Sequence, residues 1–157
     1  MKFQLRPAKE SDLPEVLSLI KELASYEKAP EEVTITLDDL KKDGFGERPL
    51  FEIIILEEEN QIIGMALYFI SYSTWKGKCI YLEDIIIREP HRGKGYGKLL
   101  FEAVISKSKS FGAKRISWQV LSWNEPAINF YKKYNASISG EWFNGRLVEE
   151  QINSFEF

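Results

Sequence analysis

Residues 85–104, IIIREPHRGKGYGKLLFEAV, hold the densest chemistry in the chain. An apolar run stops at Pro90. Arg92, Gly93, Lys94, Gly95, Tyr96, Gly97 and Lys98 then lead into a helical apolar pattern. A strand that ends in a glycine-rich turn at a helix N-terminus is an anion site. The first helical N–H groups have no intrahelical partner, and the helix dipole adds partial positive charge. Glycines let the backbone close around phosphate oxygens. Walker A chemistry needs a Ser or Thr after the lysine, and neither Lys94 nor Lys98 has one. A dinucleotide fingerprint needs a third glycine where Lys98 stands. On the glycines alone, a connecting turn with incidental lysines competes with the phosphate reading.

Four further sets of residues carry chemical potential. Glu83 and Asp84 interrupt the apolar run IYLEDIII. Adjacent strand residues point to opposite faces, so regular alternation lets only one of them face a given cleft. Tyr131, in NFYKK, falls on the second turn of a helix that Asn124 can cap, with Glu125, Pro126 and Ala127 in its first turn. A phenol of ordinary pKa about 10 is protonated at neutral pH and can give a proton to a thiolate. Tyr26 and Glu27 close the first helix, while Glu31 and Glu32 read as a solvated helix end. Trp118 is either sheet packing or a surface for a cation.

These residues must be positioned by a modest chain. It has 157 residues, 44% of them apolar, which suits a single domain over 1–157. The net charge of -3 argues against a general nucleic-acid binder. No signal-like or membrane-length apolar stretch is visible, so a soluble cytoplasmic protein is expected, with neither nucleic acid nor membrane as partner. The sole cysteine, Cys79, reads as core. The sole histidine, His91, reads as a solvated turn residue. That inventory gives no basis for a zinc site or a Cys/His nucleophile, so no metal is expected.

Hydropathy periodicity predicts strands at 2–6, 51–58, 61–72, 79–89 and 114–121, with a final strand in RLVEEQINSFEF. It predicts helices at 12–26 (Ser11 as cap), from Thr36 to about Gly44 with a Thr36/Asp39 capping box, at 96–110, and from Asn124 to about Asn135. The pair Glu59-Asn60 reads as a hairpin turn, with residues 57–59 solvated. The order β-α-α-β-β-β-α-β-α-β-β is an α/β (α+β) domain on a mixed sheet.

The spacing Arg92-x-x-Gly95-x-Gly97, between a long strand and a helix, resembles the pyrophosphate turn of the GNAT acetyltransferase superfamily. LIKELASYEK, DGFGERP, YLEDIII, HRGKGYG and WNEPAINFYKK are similar, in order from about residue 3 to 136, to the spermidine/spermine and thialysine N-acetyltransferases. The resemblance implies a central mixed, mostly antiparallel sheet of about six to seven strands flanked by about four helices. It implies acetyl-coenzyme A as co-substrate, held by residues 92–98, by the backbone of Ile85, Ile86 and Ile87, and by Asn124, Glu125, Pro126 and Ala127. It implies Tyr131 as general acid and Glu83 as proton relay. Tyr26, Glu27, Glu83, Asp84, Trp118 and Gln119 would line the acceptor site for a small cationic amine. Asn129 is a helix residue or a secondary coenzyme contact. The relatives imply a homodimer.

The pattern departs at Lys133 and Tyr134, where the family carries paired arginines; Lys cannot copy a bidentate guanidinium and Tyr carries no charge, so the coenzyme contacts there differ from the family's. It departs again after Ala136, where Glu141 is displaced in register, and the acceptor therefore stays open between a polyamine or diamine, a thialysine-like amine, and a peptide or protein amine. A coenzyme-binding module without turnover is the remaining alternative.

Overall fold

The computed structural model describes residues 2–156. It packs into two compact units, Met1–Gln119 and Val120–Phe157.

The larger unit is built on a five-stranded sheet in the order β1-β2-β3-β4-β5. Strands β1 (Phe3–Pro7), β2 (Glu52–Glu58), β3 (Gln61–Ser73) and β4 (Gly77–Ile87) form an antiparallel meander. β5 (Ile116–Ser117) returns parallel to β4 after a crossover helix. Helices α1 (Leu13–Tyr26) and α2 (Leu37–Phe45) precede β2, and α3 (Tyr96–Phe111) is the crossover. The smaller unit holds α4 (Glu125–Lys132) and α5 (Glu149–Asn153).

Local chemistry accounts for most boundaries. Glu59 and Asn60 adopt φ of 50° and 65°, the two left-handed residues that a tight hairpin needs. Thr36 and Asp39 exchange the reciprocal bonds of a capping box, Thr36 N to Asp39 Oδ2 at 2.8 Å and Asp39 N to Thr36 Oγ1 at 3.2 Å. Gly112 ends α3 at φ 74°. Cys79 is fully buried in β4.

One core lies between α1, α2 and the sheet: Leu13, Val16, Leu19, Leu40, Ile53, Ile55, Met65, Leu67 and Ile86. On α3 the buried stripe is Tyr96, Leu100, Phe101, Val104 and Ser108. Leu99, beside that stripe, is half-buried.

Four expectations are corrected. The sheet has five strands, because 114–121 keeps only two ladder residues and the C-terminal segment forms α5 instead of a strand. Gln151 Oε1 accepts the Val148 N–H at 3.0 Å, so this end caps a helical turn. Asp12, not Ser11, stands at the N-cap position of α1. Its carboxylate accepts from Lys9 N at 2.7 Å and from Arg6 Nη1 at 2.7 Å, and the Arg6 guanidinium holds it below the usual carboxylate range. Glu57 and Glu58 belong to β2 and not to a solvated turn: Glu57 accepts from Arg6 Nε at 2.5 Å and Glu58 is buried. His91 is half-buried, with Nδ1 at 3.0 Å from Glu58 Oε2.

Candidate active site

β4 carries the site, and one irregularity in it sets the geometry. Leu67 pairs with Asp84 and Tyr68 with Leu82, so Glu83 is an extra residue, a β-bulge. Before the bulge Ile80 turns its N–H to the β5 side, donating to Arg115 O at 2.9 Å. After it Arg88 turns its N–H to the β3 side, donating to Ile63 O at 2.8 Å. Backbone direction alternates along a strand, so Ile86 faces β3 with Arg88, while Ile85 and Ile87 face the opposite edge. Without the bulge, Asp84 and Ile86 would face that edge.

That edge has no β5 ladder beyond Tyr81. Continued in register, Trp118 and Gln119 would stand opposite Leu82 and Glu83, but the strand ends at Ser117. Trp118 instead packs edge-on against Phe101, ring centroids 5.5 Å apart. The departure of β5 leaves the Ile85 and Ile87 main chain beside an opening in the sheet. Ile86 serves by packing, its side chain buried in the α1-side core.

The bulge also revises the expected alternation of Glu83 and Asp84. Asp84 stands directly opposite Leu67, a member of the α1-side core, and so shares that face. Burial pushes the Asp84 carboxyl up to about 7, with Glu83 and then Glu27 adding in the same direction. Burial also raises Glu27, with Glu83 as the second cause. Glu83 itself is exposed. Three carboxylates thus feel one another where α1 ends against β4. Such an arrangement is electrostatically costly until a cation enters it.

Beyond Ile87 the chain makes a short turn, Glu89–His91, and reaches the glycines. Gly93 and Gly95 adopt φ of 75° and 84°, and a Cβ built on either meets nothing within 4 Å. Open space beside left-handed glycines is the cradle an oxyanion group fits. Gly95 is also the N-cap of α3 and offers no side-chain cap. The main chain of residues 95–98 is therefore available to a diphosphate, which fits coenzyme A at this position. Lys94 and Lys98 are exposed beside it, and Lys98 lies 3.9 Å from Glu102.

Arg92 takes a different direction. Its Nε donates to Ile87 O at 2.8 Å, Nη2 to Glu22 Oε1 at 3.3 Å, and the guanidinium lies 5.1 Å from the Tyr26 ring centroid. It serves the turn by bracing it on α1. On the other flank, Tyr96 donates its hydroxyl to Glu58, which also meets His91. Sequence reasoning missed Glu22 and Glu58. Each reaches the turn only through the fold: Glu22 follows Lys21 on α1, and Glu58 stands in a run of glutamates, so neither is marked locally.

In the smaller unit Asn124 caps α4, its Oδ1 accepting from Ala127 N at 3.3 Å, with Glu125 and Pro126 in the first turn. Tyr131 lies on the second turn, packed edge-on against Phe130 at 5.4 Å.

The family model described as "Acetyltransferase (GNAT) family" matches residues 13–136. A thialysine N-epsilon-acetyltransferase of Bos taurus is 40% identical over 140 residues, covering 84% of this chain and 82% of that protein. A spermidine/spermine N(1)-acetyltransferase-like protein of Homo sapiens is 34% identical over 96% of this chain, which spans 23% of that longer protein. Among solved structures, an integron cassette protein from the mobile metagenome of V. cholerae superposes with a TM-score of 0.79 at 23% identity, covering 98% of this chain and 96% of that one. That last likeness is one of fold.

Proposed function

This chain belongs to the acetyltransferase (GNAT) family, and we propose that it moves an acetyl group from acetyl-coenzyme A to a primary amine of a small cationic metabolite, by direct attack in a ternary complex. The observation that carries the acceptor half is the group of Glu27, at the end of α1, with Glu83 and Asp84, on the strand that leads into the glycine turn. Anionic and cationic substrates then dock near opposite ends of the β4 bulge segment. The relatives named for thialysine favour a lysine-like amine, and those named for spermidine and spermine favour a polyamine. The divergent segment after Ala136 weighs toward the shorter amine, while Lys133 and Tyr134, in place of paired arginines, alter the coenzyme contacts at that point.

In this reading an ammonium of ordinary pKa about 10.4 must lose a proton before it can attack. Glu83, exposed on its bulge, relays that proton through water, while Asp84 and Glu27 hold the remaining positive charge. Tyr26, Trp118 and Gln119 border the acceptor. The main-chain N–H of Ile87 polarises the thioester carbonyl as charge develops on its oxygen. Tyr131 donates its phenolic proton to the departing thiolate. The family match crosses from one compact unit into the other, which supports one transferase domain. A homodimer, which the family resemblance implies, is the assembly this reading assigns.

The test is an acetylation panel with acetyl-coenzyme A and thialysine, diamines, spermidine and lysine-bearing peptides. Saturable transfer to thialysine or a polyamine is expected. Saturation by peptides alone overturns the small-amine reading, and uptake of coenzyme without transfer to any amine overturns the catalytic one.

A further inference from the structure

We propose that Glu22 is a positioning residue that couples the coenzyme turn to the acceptor end of α1. The inference rests on the functional reading above and goes beyond it, since no part of that reading uses Glu22.

Glu22 lies one helical turn before Tyr26 and Glu27, and its two carboxylate oxygens divide the segment that follows β4. Oε1 accepts the Glu89 main-chain N–H at 2.9 Å and Arg92 Nη2 at 3.3 Å. Oε2 accepts Arg88 Nη1 at 3.1 Å. One carboxylate thereby fixes a main-chain amide and two guanidinium groups between the open strand edge and the glycines. Arg88 has further anchors, Glu15 at 2.5 Å and Ile62 O at 3.1 Å. Among the described residues, Glu22 is the acidic partner of Arg92.

Arg92 carries this link from the turn to α1. Its Nε holds Ile87 O, a main-chain group on the open edge, and its guanidinium covers the Tyr26 ring. Arg92 immediately precedes Gly93, so the turn's conformation sets where its side chain starts. Ordering the turn around a diphosphate therefore orders Arg92, and through it Tyr26 and the end of α1. The ion pair is partly solvated, with side-chain exposures of 34% for Arg92 and 26% for Glu22. Pairs so exposed stabilise a fold weakly, so the expected consequence lies in geometry at the site. Coupling of this kind is reciprocal: coenzyme must tighten amine binding by the factor that amine tightens coenzyme.

The test measures dissociation constants by calorimetry for coenzyme A, and for thialysine and spermidine with and without coenzyme A present. It uses the full chain as wild type, Glu22→Gln and Glu22→Ala, with melting temperature as a control for folding. In the wild type, coenzyme A should tighten the better-bound amine by about 5-fold or more, within the usual range of such couplings. In Glu22→Ala that factor should collapse toward about 1, and KM for the amine should rise several-fold more than kcat falls. Glu22→Gln keeps the shape and one acceptor oxygen, and it should retain an intermediate factor. A wild type whose amine affinity ignores coenzyme A overturns the coupling alone. So does an undiminished factor in both variants, or a lowered melting temperature with all binding constants unchanged. A wild type that takes up no coenzyme A overturns the functional reading, and this inference with it.

Discussion

Asp84 is the group through which the proposed acceptor site can be weighed against the stability of the fold. Its carboxyl sits half-buried on β4 at about 7, against an ordinary value of about 3.9. Burial is the main cause, and Glu83 and Glu27 add to it. Between about pH 4 and pH 7 the folded chain keeps a proton that the unfolded chain has released. The folded state then binds more protons, so unfolding free energy falls as pH rises and levels off above about pH 7. A gap of about 3 pH units at 1.36 kcal/mol each sets a ceiling of about 4 kcal/mol, some 1.5 kcal/mol of it already lost at pH 5. Water at the exposed Glu83 and small relaxations of the bulge lower that ceiling. Asp84→Asn, which cannot ionise, removes this loss. Urea unfolding of both proteins at pH 5, 6, 7 and 8 should show the variant gaining about 1–2.5 kcal/mol relative to wild type from pH 5 to pH 8. The same substitution should raise KM for the amine roughly tenfold and flatten its fall with rising pH, since cation binding draws Asp84 toward its charged form. Stability profiles that stay parallel across this range would refute the reasoning, because the carboxyl would then be ordinary in both states.

Other expectations follow from the same geometry. Tyr131→Phe should lower kcat by roughly 10²–10⁴-fold with the coenzyme dissociation constant within about 3-fold, measured by steady-state kinetics and calorimetry. Gly95→Val places a β-branched residue at φ 84° and fills the open space there; coenzyme affinity should fall by at least about tenfold, measured by calorimetry. Gly64→Ala would put a Cβ 2.6 Å from Ile87 Cδ1 and 2.7 Å from Ile86 O; thermal unfolding should show a loss of about 1–3 kcal/mol. Glu58 is held below the usual carboxylate range by the Tyr96 hydroxyl and then by His91. Its contribution is present above about pH 4.3 and lost as pH falls below that value, so Tyr96→Phe should blunt the acid limb of a pH-stability curve.

How much of this was legible in the sequence depends on how local each cause is. The hairpin at Glu59-Asn60, the Thr36/Asp39 box, the Gly112 stop and the Asn124 cap are each decided within a few residues, and all were readable. The glycine turn was readable for the same reason, because left-handed φ and a helix start are local demands. Glu58 was misread because its run of glutamates looks like a solvated hairpin end. What buries it is Tyr96, 38 residues away. His91 followed the same error. Strand β5 was read as eight residues because its sequence is β-rich throughout, but a ladder needs a partner, and β4 offers one only at Ile80 and Tyr81. The C-terminal segment alternates like a strand yet carries Gln151 where a helical turn at Val148 can be capped.

The bulge at Glu83 was the costliest omission, because strict alternation gives the wrong parity for the whole site. A regular β4 would turn the Asp84 and Ile86 main chain to the open edge, and would leave Glu83 and Asp84 divided between faces. One inserted residue reverses that parity. It delivers the Ile85 and Ile87 main chain to the edge that β5 has left, and it turns Asp84 to the α1-side face, where Glu83 and Glu27 act on its carboxyl. A charged interruption such as Glu-Asp inside IYLEDIII is therefore better read as a change of register than as a solvated face. A charged pair in the middle of a buried strand is tolerated where the ladder is already broken, and in the proposed reaction the same break lets one strand take an anionic ligand along its edge and a cationic one across its face.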